Sequence, residues 1–329
     1  MDEFARLNLI GKSPLFLAEL ALIKKYATCD ATVLIEGETG TGKELAARAI
    51  HYLSRRRDLP FIGLNCGALP DNLVETELFG HLRGAFTDAK EARTGLVAQA
   101  KGGTLFLDEV EAISPRAQIA LLRFLQDKEY RPIGGAPVKD ANVRILASSN
   151  ADLRDMVQRG CFRMDLLYRL DVLSLHMPPL RDRPGDAVLL ADLFVERLNR
   201  QSGEPPKVLH PDAVRVIDSQ SWPGNVRELE NLIQRGFLLS KGPVIELASI
   251  NRGNRLAVER SGTETFNVAK ARAVAQFERA YMAALLARTN GNLSLAARVA
   301  GKDRSDIGRL VRKHGFDRSQ FLPGRDVPG

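Results

Sequence analysis

The run Gly37-Glu-Thr-Gly-Thr-Gly42-Lys43 constrains this chain more than any other seven residues. It follows a short apolar segment, Thr32-Val-Leu-Ile35, and precedes a stretch of helical periodicity that reaches about Leu53. A strand that runs into glycines and then into a helix is a phosphate-binding geometry. Glycines let backbone amides wrap round phosphate oxygens, the helix N-terminus faces the negative charge, and Lys43 reaches the terminal phosphates. Gly37, Glu38, Thr39, Gly40, Thr41, Gly42 and Lys43 are therefore expected to hold a nucleoside triphosphate, with ATP the leading candidate. Glu44 stands where a Ser or Thr ordinarily offers Mg²⁺ a hydroxyl, and a carboxylate there is not an equivalent ligand.

A second element is Gly102-Gly-Thr-Leu-Phe-Leu-Asp108-Glu109. An apolar strand ending in two adjacent carboxylates can hold Mg²⁺ through Asp108, by way of water, and activate an attacking water through Glu109. Alone, an Asp-Glu pair after a strand is often only the start of a loop. Downstream of a phosphate loop in the same domain, it points to hydrolysis.

Further strands are expected at 61–65, 104–107 and 143–147, with helices at 14–27, 43–53, 70–79 and 115–127. This alternation predicts an α/β domain with a mainly parallel sheet. Pro178-Pro179 and Pro184-Gly185 mark a boundary, after which 187–201, 211–219 and 225–239 read as helices. Residues 241–265 have the composition of a linker, and helical periodicity resumes from Val268 with Val274, Phe277, Tyr281, Ala284 and Leu285 on one face.

A length of 329 residues allows two or three such domains. The net charge of +7 suits an acidic partner such as nucleic acid without requiring one. Cys29, Cys66 and Cys161 make neither a disulfide framework nor a metal spacing, and the five histidines include no HExxH. The N-terminus lacks a basic segment before an apolar one, and Leu15 to Ile23 is interrupted by Glu19 and far shorter than the ~20 residues that span a membrane. A cytoplasmic protein with no membrane insertion is expected.

With these motifs in place, nearly the whole chain resembles the AAA+ ATPases that activate bacterial sigma-54 RNA polymerase. That family's phosphate loop itself carries Glu after the Lys, so Glu44 becomes a point of likeness. The resemblance implies that Asn65 restrains the catalytic Glu109 and that Asn150 senses the γ-phosphate. Phe162-Arg163-Met-Asp-Leu-Leu-Tyr-Arg169 resembles the arginine-finger segment, in which Arg163 and Arg169 reach into a neighbouring subunit's site. From the residues alone, two arginines six apart are solvated charges. As a finger they tie hydrolysis to assembly, an effect of roughly 10³–10⁵ in rate in other phosphoryl-transfer systems. Trp222-Pro-Gly-Asn-Val-Arg227 resembles the lid sensor, with Arg227 on the nucleotide.

The stretch Gly84-Ala85-Phe86-Thr87-Asp88-Ala89 resembles the loop with which the family touches its sigma factor, reading Gly-Ala-Phe-Thr-Gly-Ala there. Asp88 replaces the second Gly, which removes backbone freedom and adds a negative charge. Two readings stand. Phe86 and Thr87 still engage sigma, or the contact is lost and the chain regulates transcription without acting on sigma-54. Glu129 to Lys139 reads as a Gly/Pro turn that, by resemblance, supports this loop.

Residues 283–313 read as helix, break and helix, resembling the Fis-type helix-turn-helix. Over 291–318 seven Lys/Arg stand against three Asp. Arg304, Ser305 and Arg309 would lie near a DNA groove, and Arg312 and Lys313 near phosphates. Against this stand Gly308 inside the second helix and the acid Asp306.

The organisation implied is an α/β nucleotide-binding subdomain over 1–177, a helical lid over 178–245, a linker over 246–265 and an all-α DNA-binding domain over 266–329. The resemblance implies ATP and Mg²⁺ as ligands. It implies sigma-54 RNA polymerase holoenzyme, double-stranded enhancer DNA and a homo-oligomer, from dimer to hexameric ring, as partners. An ATPase domain starting almost at residue 1 is the pattern expected of a short form without a regulatory domain in front. Control would then fall to a regulatory protein acting in trans, to expression level or to a domain outside this chain. An unrelated AAA+ remodeller, such as a chaperone or helicase loader, is the remaining alternative; residues 84–89 and the C-terminal module argue against it.

Overall fold

The computed structural model describes residues 2–70, 73–85, 91–135, 137–203, 205–240 and 242–247, then 278, 281–282, 285–289, 291–313 and 316. Contacts divide the chain into two units, 1–254 and 255–329.

The first unit is built on five parallel strands: β1 (Val33–Glu36), β2 (Phe61–Asn65), β3 (Thr104–Asp108), β4 (Arg144–Ser149) and β5 (Leu173–His176), in the order β2-β3-β4-β1-β5. A parallel sheet is covered by helices on both faces, so its central strands are apolar throughout. All six residues of β4 are buried. Alternation then sorts the side chains by face. Leu105, Leu107, Ile145 and Ala147 join one core cluster, with Leu121 and Leu125, while Phe106 and Leu146 join the other, with Ile23 and Ile50.

Helix α1 (Pro14–Ala27) starts at a proline, whose missing N–H costs nothing there, and buries Phe16, Leu20, Ile23 and Ala27 as one stripe. Helix α2 (Lys43–Tyr52) begins directly after the phosphate loop. Helix α3 (Pro115–Asp127) is capped by Ser114, whose Oγ accepts from the Ala117 N–H. Helix α4 (Met164–Leu170) buries Leu166, Leu167 and Leu170 and leaves its other face outside.

The lid follows as α5 (Asp186–Ser202), α6 (Pro211–Ser219) and α7 (Asn225–Leu239), packed round Ile217, Trp222, Leu229, Ile233 and Phe237. These elements match the expected ones closely; β5 is the exception. It is a four-residue edge strand with only Leu175 fully buried, too short and too polar to stand out before Pro178.

In the second unit, α8 (Leu293–Ala300) and α9 (Arg304–Lys313) are joined by a turn at Gly301 and share a core of Met282, Leu285, Leu286, Ala296, Ala297, Ile307 and Val311. Of the face expected around Val268–Leu285, Tyr281 is exposed and Leu285 buried, while Val274, Phe277 and Ala284 lie outside the described residues. No helix among the described residues is long and apolar enough to cross a membrane.

Candidate active site

The carboxyl ends of β1, β3 and β4 open into one cleft, where open α/β sheets place ligands. Thr39, Gly40, Thr41, Gly42, Lys43 and Glu44 line it, with Asp108, Glu109, Asn150 and, from the lid, Arg227. It encloses about 230 Å³ and is open to solvent on one side.

Lys43 is buried, and its ammonium donates to the carbonyls of Gly37 at 2.7 Å and Glu38 at 3.0 Å and to Asn150 Oδ1 at 2.5 Å. Burial lowers its pKa, and the negative charges of Asp108, Glu111 and Glu109 oppose that shift. Asp108 accepts a hydrogen bond from the Ser148 hydroxyl of the adjacent strand. Glu109 is held at φ +56°, a strained conformation for a non-glycine residue. A Cβ on Gly67 would sit 2.4 Å from Glu109 Oε2 and 3.4 Å from Asn65 Oδ1, so a side chain there would push the Glu109 carboxylate out of this position. Asn65 Oδ1 accepts from the Ala68 N–H at 3.0 Å, capping a short turn beside the carboxylate. Glu44 is drawn along its own helix to Arg48, at 2.8 Å.

The other end of the cleft is apolar, walled by Leu9, Ile10, Phe16 and Val226. Such a wall suits a nucleobase, with the polar end left for phosphates. Behind it the buried guanidinium of Arg183 stacks on Phe16, donates to the Ile10 carbonyl at 3.0 Å and pairs with Asp186 at 2.9 Å. Nothing in the sequence distinguished Leu9 and Ile10 from core residues.

The lid is fastened to the phosphate loop. Arg181 grips Glu38 with two hydrogen bonds, of 2.8 and 2.6 Å, and Asn225 Nδ2 donates to Glu38 Oε2 at 3.1 Å. These partners hold the Glu38 carboxyl down at about 2. The Val226 N–H donates to the Gly40 carbonyl at 3.0 Å, and a Cβ on Gly40 would meet the Gly224 carbonyl at 2.4 Å. Gly40 is thus needed for close approach as well as for its φ of +80°.

Arg163 and Arg169 lie outside the cleft, on the exposed side of α4. Arg163 pairs with Asp165 at 2.7 Å, and its backbone is anchored by the buried Gln118. Met164 and Tyr168, between the two arginines, are 54% and 65% exposed.

Of the expected contact loop, Gly84 and Ala85 are described; Phe86, Thr87, Asp88 and Ala89 lie outside the described residues. The base of that loop is clamped. Gly80 and His81 pair antiparallel with Thr94 and Arg93, and Leu82 and Gly80 bond to the backbone of Ile133. Ile133 belongs to the expected turn, whose arms pair as Glu129 with Asp140 and Tyr130 with Lys139.

On α9, Arg304, Ser305, Arg309, Arg312 and Lys313 are all exposed. Arg309 pairs with Asp306 at 2.6 Å and Lys313 with Glu278 at 2.7 Å. Gly308 faces open space, with nothing near its Cα that a side chain would strike.

Among the described residues, no group of three or more His, Cys, Asp or Glu side chains could hold a metal by itself. Mg²⁺, by contrast, is held by one or two carboxylates together with substrate phosphates and water. Asp108 and Glu109 are carboxylates lining the cleft.

Two families match in tandem: the Sigma-54 interaction domain over residues 9–176 and the AAA+ ATPase lid domain over 181–267. The chain is 42% identical over 320 residues to the transcriptional regulatory protein GlrR of Escherichia coli K12, covering 97% of this chain and 71% of that protein. It is 42% identical over 303 residues to the transcriptional regulatory protein ZraR of Salmonella typhimurium, covering 92% and 68%. Among solved structures, NtrX from Brucella abortus in complex with ADP superposes with a TM-score of 0.71 at 32% identity, covering 94% of this chain and 69% of that one. The same protein in complex with ATP gives a TM-score of 0.70 at 32% identity, with the same coverage.

Proposed function

The chain belongs to the AAA+ ATPases built on a sigma-54 interaction domain, and on that premise we propose that it is an enhancer-binding activator, which spends ATP on remodelling sigma-54 RNA polymerase for promoter opening. The observation that carries the reading is the convergence of Lys43, Asp108, Glu109 and Asn150, from three strands, with Arg227 from the lid on a single cleft.

In this reading the amides of residues 37–43 and the Lys43 ammonium neutralise the phosphates. Glu109 takes the proton of the attacking water, Asn65 stands beside it as its restraint, and Asn150 senses the γ-phosphate while already touching Lys43. Asp108 would hold Mg²⁺, which would supply charge neutralisation at the phosphates. Arg163 and Arg169 act in a neighbouring copy. The exposed Met164 and Tyr168 between them give that face the apolar character of a surface meant to be covered. Hydrolysis then waits on assembly, from dimers to a hexameric ring.

The second unit is read as a Fis-type helix-turn-helix that holds enhancer DNA, with α9 in the major groove. Five exposed basic or hydroxyl side chains on α9 support it, and the exposed pairs of Arg309 and Lys313 are weak enough to be exchanged for phosphates. The clamped base at Gly80–Ala85 supports residues 84–89 as the contact with sigma-54. A DNA-binding regulator that ignores sigma-54 because of Asp88 is not favoured, since the family match runs through that loop. A cytoplasmic location completes the reading. Its test is transcription in vitro from a sigma-54 promoter with the full chain, holoenzyme and ATP. Open complexes that form with ATP and disappear with Glu109→Gln are expected; no open complex with the parent chain would sink the reading.

A further inference from the structure

Glu111 belongs to none of the motifs that marked the site and does not line the cleft, yet it holds the backbone of a residue that does. It lies in the turn Val110–Ala112 that follows Glu109, and its Oε1 accepts from the Asn150 backbone N–H at 3.0 Å. Its other oxygen, Oε2, is enclosed and accepts no hydrogen bond among the described residues. A buried carboxylate oxygen without a partner is costly to keep, and such cost collects where a side chain is held for a task. The charge is offset by proximity to Lys43, on which Glu111 acts alongside Asp108 and Glu109.

The position of Asn150 explains what the bond accomplishes. The pairing of β1 with β4 ends at Glu36 opposite Ser149, so Asn150 is the first residue beyond the sheet ladder. Its direction depends on local ties. One is the turn in which Ser149 Oγ bonds to the backbone of Ala151, and the other is Glu111. Asn150 Oδ1 in turn accepts from Lys43.

We propose that Glu111 is a positioning residue for hydrolysis: by holding the Asn150 backbone it aims the Asn150 carboxamide at the γ-phosphate and links that sensor to the turn carrying Glu109. The inference rests on the reading of Asn150 as sensor. Glu111 touches neither nucleotide nor water; it acts through Asn150.

The test uses the full chain with Mg²⁺, measuring kcat, KM, and the ratio of affinities for a non-hydrolysable ATP analogue and for ADP. Glu111→Ala is expected to lower kcat about 10-fold, the loss of one hydrogen bond to a charged acceptor, with KM little changed. It should also bring the affinity ratio toward that of Asn150→Ala while leaving ADP affinity alone. Glu111→Gln, whose carboxamide oxygen accepts the same bond, should restore both. A merely structural role would change stability and ADP binding together. A parent-like kcat and ratio in Glu111→Ala would overturn the inference, as would a Glu111→Gln as impaired as Glu111→Ala. If Asn150→Ala leaves the ratio unchanged, the sensor reading fails and takes this inference with it; if Asn150→Ala shifts the ratio and Glu111→Ala does not, only the inference fails. Should Glu111→Ala not fold, Glu111→Asp decides. Its carboxylate is one methylene too short for the Asn150 N–H, so parent-like behaviour there overturns the inference.

Discussion

Asn225 joins three segments that lie far apart in the chain. Its Oδ1 accepts from the Leu180 N–H at 2.7 Å, and its Nδ2 donates to the Thr39 carbonyl at 3.0 Å and to Glu38 at 3.1 Å. It is fully buried and held at φ +51°, where Asn is tolerated better than other side chains. Asn225→Ala leaves the Leu180 N–H and the Thr39 carbonyl without partners, at about 1–3 kcal/mol each. The left-handed backbone adds about 1 kcal/mol for Ala. A loss of about 3–7 kcal/mol is expected, a large part of the ~5–15 kcal/mol that holds a domain together. The chain carries its own probe, because its single tryptophan, Trp222, is 1% exposed in the lid core. The Trp222 carbonyl accepts from the Asn225 N–H at 2.8 Å. Urea titration followed by Trp222 fluorescence should show the transition moved by that amount. Asn225→Gly, which is free of the backbone penalty, should recover about 1 kcal/mol. Weaker ATP binding should accompany the loss, since Glu38 and Thr39 lose their anchor. An Asn225→Ala transition within about 0.5 kcal/mol of the parent would refute the reasoning.

Three further outcomes are expected. Gly67→Ala drives a Cβ against Glu109 Oε2, so kcat should fall about 100-fold with ATP binding retained, as a displaced catalytic group implies; an unchanged kcat would remove Glu109 from the chemistry. Arg169→Ala should bind ATP like the parent yet lose the rise of specific ATPase activity with protein concentration, and a retained rise would contradict the finger role. The Glu38 carboxyl titrates at about 2 when folded against an ordinary 4.5, so its ties to Arg181 and Asn225 stabilise fully above 4.5 and are lost as pH falls toward 2. Both partners are more than a third exposed, so water screens the effect: the stability difference between parent and Glu38→Gln should be small, flat from neutral pH down to about 5, and vanish as pH falls from 4.5 toward 2.

The phosphate loop, the Asp108-Glu109 strand end and the alternation of strands and helices were legible because each rests on local chemistry: glycines before a helix, carboxylates after an apolar run, a period of two giving way to 3.6. Glu111, Asn225 and Arg181 were not. Each acts through a partner distant in sequence: Glu111 on a backbone amide 39 residues on, Asn225 and Arg181 on a carboxylate 187 and 143 residues back. No periodicity marks such a pairing. The same holds for Leu9 and Ile10, whose role as a cleft wall appears only when Val226 and Phe16 are brought opposite them. Asn225 and Arg227 lie in one short motif, yet only Arg227, whose charge suggests a phosphate, could be assigned a ligand from its residue type.

Two of the lid's ties to the sheet subdomain, both involving ion pairs, differ in what it costs to break them. At the apolar end Asp186 accepts from the N–H groups of Lys12 and Ser13, from the Ser13 hydroxyl and from Arg183, and the Arg183–Asp186 pair is only 2% and 0% exposed. Removing one member of a buried, hydrogen-bonded pair strands the other charge, at about 3–5 kcal/mol. At the phosphate end Arg181 and Glu38 are 43% and 41% exposed, so water can replace either partner and the pair is weak. Asp186→Ala should therefore lower the Trp222 transition by about 3–5 kcal/mol, whereas Glu38→Gln should leave it near the parent's while altering ATP affinity. Equal shifts in the two variants would refute the distinction. Of the two ion pairs the one at the phosphate end is the cheaper to break, so what holds lid to loop there is the buried Asn225, through Thr39 and Glu38, and not the Arg181–Glu38 pair.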